Sequence, residues 1–157
     1  MYQLSNHERQ VLNDAKQILT RVMESMPLYN ESAVFTIDEA ITYVKARIGL
    51  EERENFLVLF LNNAHCLLSA EVLFSGTINE APVYTREIVK RAMALNAAAV
   101  IVAHNHPSGE VQPSQSDRNI TSKIQKACEL VDTRLLDHII VSVDKHFSFA
   151  EEHMLCS

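Results

Sequence analysis

The longest uninterrupted apolar run in the chain is AAAVIVA at 97–103. It has the length of a buried strand and falls far short of the ~20 residues a membrane span needs. The polar loop HNHPSGEVQP follows it directly, and after the loop comes a helix-patterned stretch from about 115 to 131. Any fold for this chain must therefore bury that strand inside a sheet and place a polar, histidine-bearing loop at its end.

The rest of the pattern fits around this unit. Val11, Leu12, Ala15, Ile18, Leu19, Val22, Met23 and Met26 recur at spacings of three and four, the mark of one helix face. Ser5 and Glu8 form a capping box before it, and Pro27 stops it. After the connector LYNESAVF, a second helix opens on the box Thr36/Glu39 and ends at Gly49. Strand-like runs at 54–62 and 65–76 flank Asn63-Ala64 as a hairpin, and a helix follows at 85–95. Beyond the 115–131 helix come a strand LLDHIIVSV, a turn at Asp144-Lys145 and a short strand HFSF. The order predicts an α/β (α+β) single domain with a mixed β-sheet flanked by helices, spanning 36–157, with residues 1–35 as an N-terminal helical extension.

At 157 residues the chain is too short for a (β/α)₈ barrel, which takes about 200 or more. Its net charge of −6 gives no general attraction for a phosphate backbone, so nucleic acid is a poor partner. The densest basic cluster, Arg86, Lys90 and Arg91, has the spacing of a solvated helix face. Cys66, Cys128 and Cys156 form no Cys-x-x-Cys pair, and the N-terminus lacks the basic start and apolar run of a signal peptide. A cytoplasmic protein without a membrane segment is expected.

The chemistry concentrates at 101–117. His104 and His106 lie two apart at a strand end, so both imidazoles face one side. Asp117 follows in the first turn of the next helix, across a loop long enough to fold its carboxylate back onto them. Two imidazoles and a carboxylate form a three-ligand set that suits Zn²⁺ and leaves a fourth position open, as catalytic zinc sites do. Each piece alone is weak, since Ser114-x-x-Asp117 is also an ordinary capping pattern.

Taken together, His104-x-His106-Pro107, six residues, Ser114, two residues and Asp117 resemble the JAMM (MPN+, JAB) metalloprotease motif at every specified position. Arg86-Glu87-Ile88, Ser108-Gly109, Pro113, Thr121 and Leu136-Asp137-His138-Ile139-Ile140 extend the likeness to the RadC-like branch, over roughly residues 36–150. The resemblance implies a JAB/MPN-like domain of cytidine deaminase-like architecture. Residues 1–35 are too short for the helix-hairpin-helix region that often precedes it, so a short form is expected.

The same resemblance implies a zinc-dependent peptidase or isopeptidase. His104, His106 and Asp117 would hold Zn²⁺, Glu54 would act as general base, and Ser114 would help stabilise the oxyanion. Glu71, inside the second strand, competes with Glu54 for the base. Peptides or proteins are the implied substrates, with ubiquitin-like proteins one class among them. A zinc-bound interaction module without catalysis is the alternative, and the family name adds a link to DNA repair that the acidic charge does not support. Asn105 should point away from the ligands, and His138 reads as a hydrogen-bonded core histidine rather than a fourth ligand. The remaining histidines, His7, His65, His146 and His153, read as surface residues. Cys66 and Cys128 read as core residues. The Val11 to Met26 stripe can pack on a second copy of the chain as readily as on its own core.

Overall fold

The computed structural model describes residues 5–25, 35–76 and 85–155. In chain order its elements are α1 (Asn6–Ser25), α2 (Ile37–Ile48), β1 (Asn55–Leu61), β2 (Leu67–Ser75), α3 (Thr85–Ala94), β3 (Ala99–Asn105), α4 (Gln115–Glu129), β4 (Arg134–Val141) and β5 (His146–Ser148). The strands form one sheet in the order β2-β1-β3-β4-β5. Neighbours β3 and β4 are parallel and every other pair is antiparallel. The mixed sheet flanked by helices is the fold class the sequence predicts.

Side-chain alternation splits the core between the two faces of the sheet. Leu57, Leu59 and Leu61 of β1 pack with Ile101, Ile139 and α2, which contributes Ile41, Val44 and Ile48. Phe56, Val58 and Phe60 point the other way, onto Ile88 and Ala92 of α3 and Ile124 and Cys128 of α4. Because β1 and β3 are covered on both faces, their sequences read as continuous apolar runs rather than alternations. Each fully buried Leu or Ile contributes roughly 1.5–3 kcal/mol.

The strand expected at 97–103 begins two residues later. Asn96 adopts φ 51°, and its N–H and that of Ala97 donate to Met93 O and Ala92 O, so the residues after α3 close that helix in a Schellman turn. The strand thus starts at Ala99 and carries His104 within it. Gly49 does end α2, at φ −62°; a Cβ there would meet Lys45 O at 2.5 Å, so close approach rather than a left-handed turn requires glycine.

Helix α1 forms behind its Ser5/Glu8 box as expected. Along its apolar stripe, however, Val11, Ile18 and Leu19 lie outside the core, 51%, 57% and 53% exposed. The helix is instead tied down by ion pairs from Arg9 to Glu52 and from Lys16 to Glu51. The stop at Pro27, the connector through residue 34 and Cys156 lie outside the described residues. Among the described residues no helix is long and apolar enough to cross a membrane.

Candidate metal centre

Three elements bring the site together. Phe56 of β1 pairs with His104 of β3, so Glu54, two residues before Phe56, lies on the same face as His104 and His106. The N-terminal turn of α4 delivers Asp117 to that face. His104 Nε2 lies 2.9 Å from His106 Nε2, 3.1 Å from Asp117 Oδ1 and 3.9 Å from Glu54 Oε1, and His106 Nε2 lies 3.7 Å from Asp117 Oδ2. Glu54, His104 and His106 offer ligand atoms that all lie within 4.8 Å of one another, enough to hold a metal ion. The result is a Glu-His-His-Asp cluster of the JAMM type.

The proton positions favour a cation here. His106 Nδ1 donates to Glu110 O at 2.7 Å, and a carbonyl can only accept, so the neutral ring turns a lone pair on Nε2 toward the cluster. Asp117 Oδ1 is buried and has no hydrogen-bond partner. A buried carboxylate oxygen without a donor is costly unless a cation neutralises it. The oxygen and imidazole nitrogen donors are those Zn²⁺ accepts, and the residues fit that ion.

The two oxygens of Asp117 have separate tasks. Oδ2 accepts from the Ser114 hydroxyl at 2.6 Å and the Ser114 N–H at 2.7 Å, while the Asp117 N–H donates back to Ser114 Oγ at 3.1 Å, a complete capping box. Burial pushes this carboxyl up, but a protonated His104 beside it and the two donors of Ser114 outweigh burial and hold it well below the usual carboxylate range. The single hydroxyl proton of Ser114 is therefore committed to its hydrogen bond with Asp117 Oδ2.

Asn105, between the two histidines, is buried on the opposite side as expected. Its Oδ1 accepts from Asn55 N–H at 2.8 Å, and its Nδ2 donates to Arg53 O at 3.0 Å and Glu51 O at 3.1 Å. These bonds fasten the backbone on both sides of Glu54. The rival Glu71 lies elsewhere: Arg91 Nε donates to both its oxygens at 2.8 and 2.9 Å, and Ser69 adds a third donor. Arg91 first of all, with Ser69, holds this carboxyl below its ordinary value against burial. Arg91 thus pairs with Glu71 while staying on the exposed face of α3.

His138 is fully buried beside the cluster, with its Nε2 2.8 Å from His104 Nδ1. Burial, seconded by His104 and His106 and opposed by Asp117, pushes its imidazole well below the usual histidine range. Its placement depends on the β3/β4 register Val102↔His138, which no local pattern reveals. Cys66 and Cys128 are free and buried, and burial pushes the Cys128 thiol up to about 11, so that thiol is not a poised nucleophile. His7, His146 and His153 are exposed. A cleft of about 900 Å³ reaches the site at His106 and is walled by Pro107, Ser108, Arg53 and, from α1, Arg9 and Lys16.

Comparison with known proteins agrees with this geometry. The RadC-like JAB domain family matches residues 34–154. The chain is 55% identical over 113 residues to a UPF0758 protein of Haemophilus ducreyi, covering 72% of this chain and 51% of that relative. It is 53% identical over the same length to one of Actinobacillus pleuropneumoniae, with the same coverage, so the chain spans about half the length of these relatives. It is also 40% identical to the UPF0758 protein YkfG of Escherichia coli (strain K12), over 99% of this chain and 100% of that protein. By motif, sheet topology, cluster geometry and sequence match, the chain belongs to the RadC-like JAB domain family.

Proposed function

We propose that this protein is a zinc-dependent hydrolase of peptide or isopeptide bonds, with His104, His106 and Asp117 as ligands and Glu54 as general base. The observation that carries the reading is the buried, partnerless Asp117 Oδ1 lying 3.1 Å from His104 Nε2. Zn²⁺ held there supplies a Lewis acid that polarises a carbonyl and brings the pKa of water down toward about 7.

The chain's own residues supply the rest. Glu54, its side chain 16% exposed at the strand edge, takes a proton from the attacking water and passes it to the departing amine. The Asn105 bonds keep the Glu54 backbone from drifting as it does so. Ser114 orients Asp117 through Oδ2, and contact with a developing oxyanion requires its hydroxyl to exchange that bond. The cleft beside His106 has room for a polypeptide segment, and ubiquitin-like C-termini are one class of substrate. Free Cys66 and Cys128 suit a reducing cytoplasm.

The test is Glu54→Gln. Zinc content should stay near one per chain, and cleavage of a peptide and isopeptide substrate panel should fall by about 10²–10⁴-fold. Wild-type protein that takes up no zinc would sink the metal reading. Retention of zinc with no cleavage in the wild type would point to an interaction module.

A further inference from the structure

A chain of hydrogen bonds leaves the cluster through the far nitrogen of His104 and returns to it at Asp117. His104 Nδ1 lies 2.8 Å from His138 Nε2, His138 Nδ1 lies 2.6 Å from Thr121 Oγ1, and Thr121 Oγ1 donates to the backbone oxygen of Asp117 at 2.6 Å. The last bond decides the others. A carbonyl oxygen has no proton to give, so the one hydroxyl proton of Thr121 is spent on it. Thr121 Oγ1 can then only accept from His138, which places the His138 proton on Nδ1. The Nε2 of that neutral ring accepts, and the donor it faces is His104 Nδ1–H. What remains on a neutral His104 is a bare Nε2, the atom 2.9 Å from His106 and 3.1 Å from Asp117.

We propose that His138 and Thr121 are positioning residues that lock His104 in the Nδ1–H tautomer, so that its Nε2 lone pair is presented to the metal. The purpose of the lock rests on the zinc reading above. An imidazole in the other tautomer would aim an N–H at the ion and could not ligate it. The orientation of His138 is itself fixed. Its ring stacks on Phe149 at 4.9 Å and 12°, meets Phe56 edge-on at 5.8 Å, and its backbone N–H donates to Asp137 Oδ1 at 2.7 Å. Asp137 is held in turn by Ser148 Oγ and the Ala150 N–H, which join it to the turn after β5. One residue, Asp117, thus serves the cluster twice, with its carboxylate directly and with its backbone carbonyl through Thr121 and His138.

Two measurements on the full chain test the lock. Long-range ¹H–¹⁵N spectra of the metal-free protein at mildly basic pH should show His104 and His138 as Nδ1–H rings. Thr121→Val should release His138 from that form, and His138→Leu should release His104. Zinc titration against a chromophoric chelator should then show binding weakened about 10–100-fold in His138→Leu. His138→Gln, whose amide oxygen can accept from His104 Nδ1, should recover most of that loss, which a purely structural role for the ring would not predict. An Nε2–H ring at His104 in the wild type overturns the proposal, as does unaltered zinc affinity in folded His138→Leu protein. If His138→Leu fails to fold, Thr121→Val and His138→Gln carry the same comparison. Expected tautomers in a wild type that binds no zinc would leave the lock standing and remove the metal reading instead.

Discussion

The chain opens α2 and α4 with the same local device and puts it to different uses. At Thr36/Glu39 the carboxylate Oε2 accepts from the cap N–H and hydroxyl, both at 2.8 Å. At Ser114/Asp117 one oxygen, Oδ2, makes the equivalent pair of bonds at 2.7 and 2.6 Å. What differs is the other oxygen. Glu39 is partly exposed, and water can solvate its carboxylate, whereas Asp117 is 1% exposed and its buried Oδ1 faces the His104 imidazole. The pair teaches that a capping box becomes a ligand carrier when the carboxylate is buried and its free oxygen is turned inward.

Substitutions at the two boxes can break this comparison. The largest effect belongs to Asp117→Ala, which should weaken zinc binding by about 100-fold or more. Glu39→Ala should leave it unaltered, and isothermal titration of both proteins decides. Equal zinc affinity in the two variants would reduce Asp117 to a cap.

Acid titration sharpens the same contrast. The Asp117 carboxyl is held below its ordinary 3.8 in the folded protein, so its contribution to stability is fully present above that value and is lost as pH falls below about 4. In urea unfolding of metal-free protein, Asp117→Asn should flatten this acid-side loss.

Smaller effects follow at the caps themselves. Ser114→Ala and Thr36→Ala should each cost about 1 kcal/mol in thermal or urea unfolding. Only Ser114→Ala should also weaken zinc binding, by about tenfold, because Asp117 Oδ2 loses its hydroxyl donor. The smallest change is expected for Glu71→Gln. Breaking a partly exposed ion pair costs about 1 kcal/mol or less, and zinc binding should not respond.

How much of this was legible in the sequence follows the range of each interaction. The capping boxes, the hairpin and the His104-x-His106 geometry are local, and the periodicities and short motifs predict them well. The two-residue displacement of β3 escaped because AAA fits a helix terminus and a strand equally well, and the left-handed Asn96 decides between them. Periodicity shows that the α1 face is apolar but not what covers it, so the sequence leaves open the exposure of Val11, Ile18 and Leu19. The link from His104 to Thr121 is a property of topology: it needs β4 parallel to β3 and α4 laid across both. Glu71 is eligible as a base by local pattern alone, because Arg91, which occupies its carboxylate, lies twenty residues away in sequence.

Asn105 gives the tripeptide 104–106 a further meaning. Its even-numbered residues turn nitrogen toward the Glu-His-His-Asp cluster, while the odd one ties down the backbone beside Glu54 next to the neighbouring strand. The spacing of Glu54 from His104 and His106 is thus set where β1 meets β3. Such a site behaves as a cassette. The α1 wall of the cleft, which touches none of these three strand-end residues through a hydrogen bond described above, can diverge while they keep their alignment.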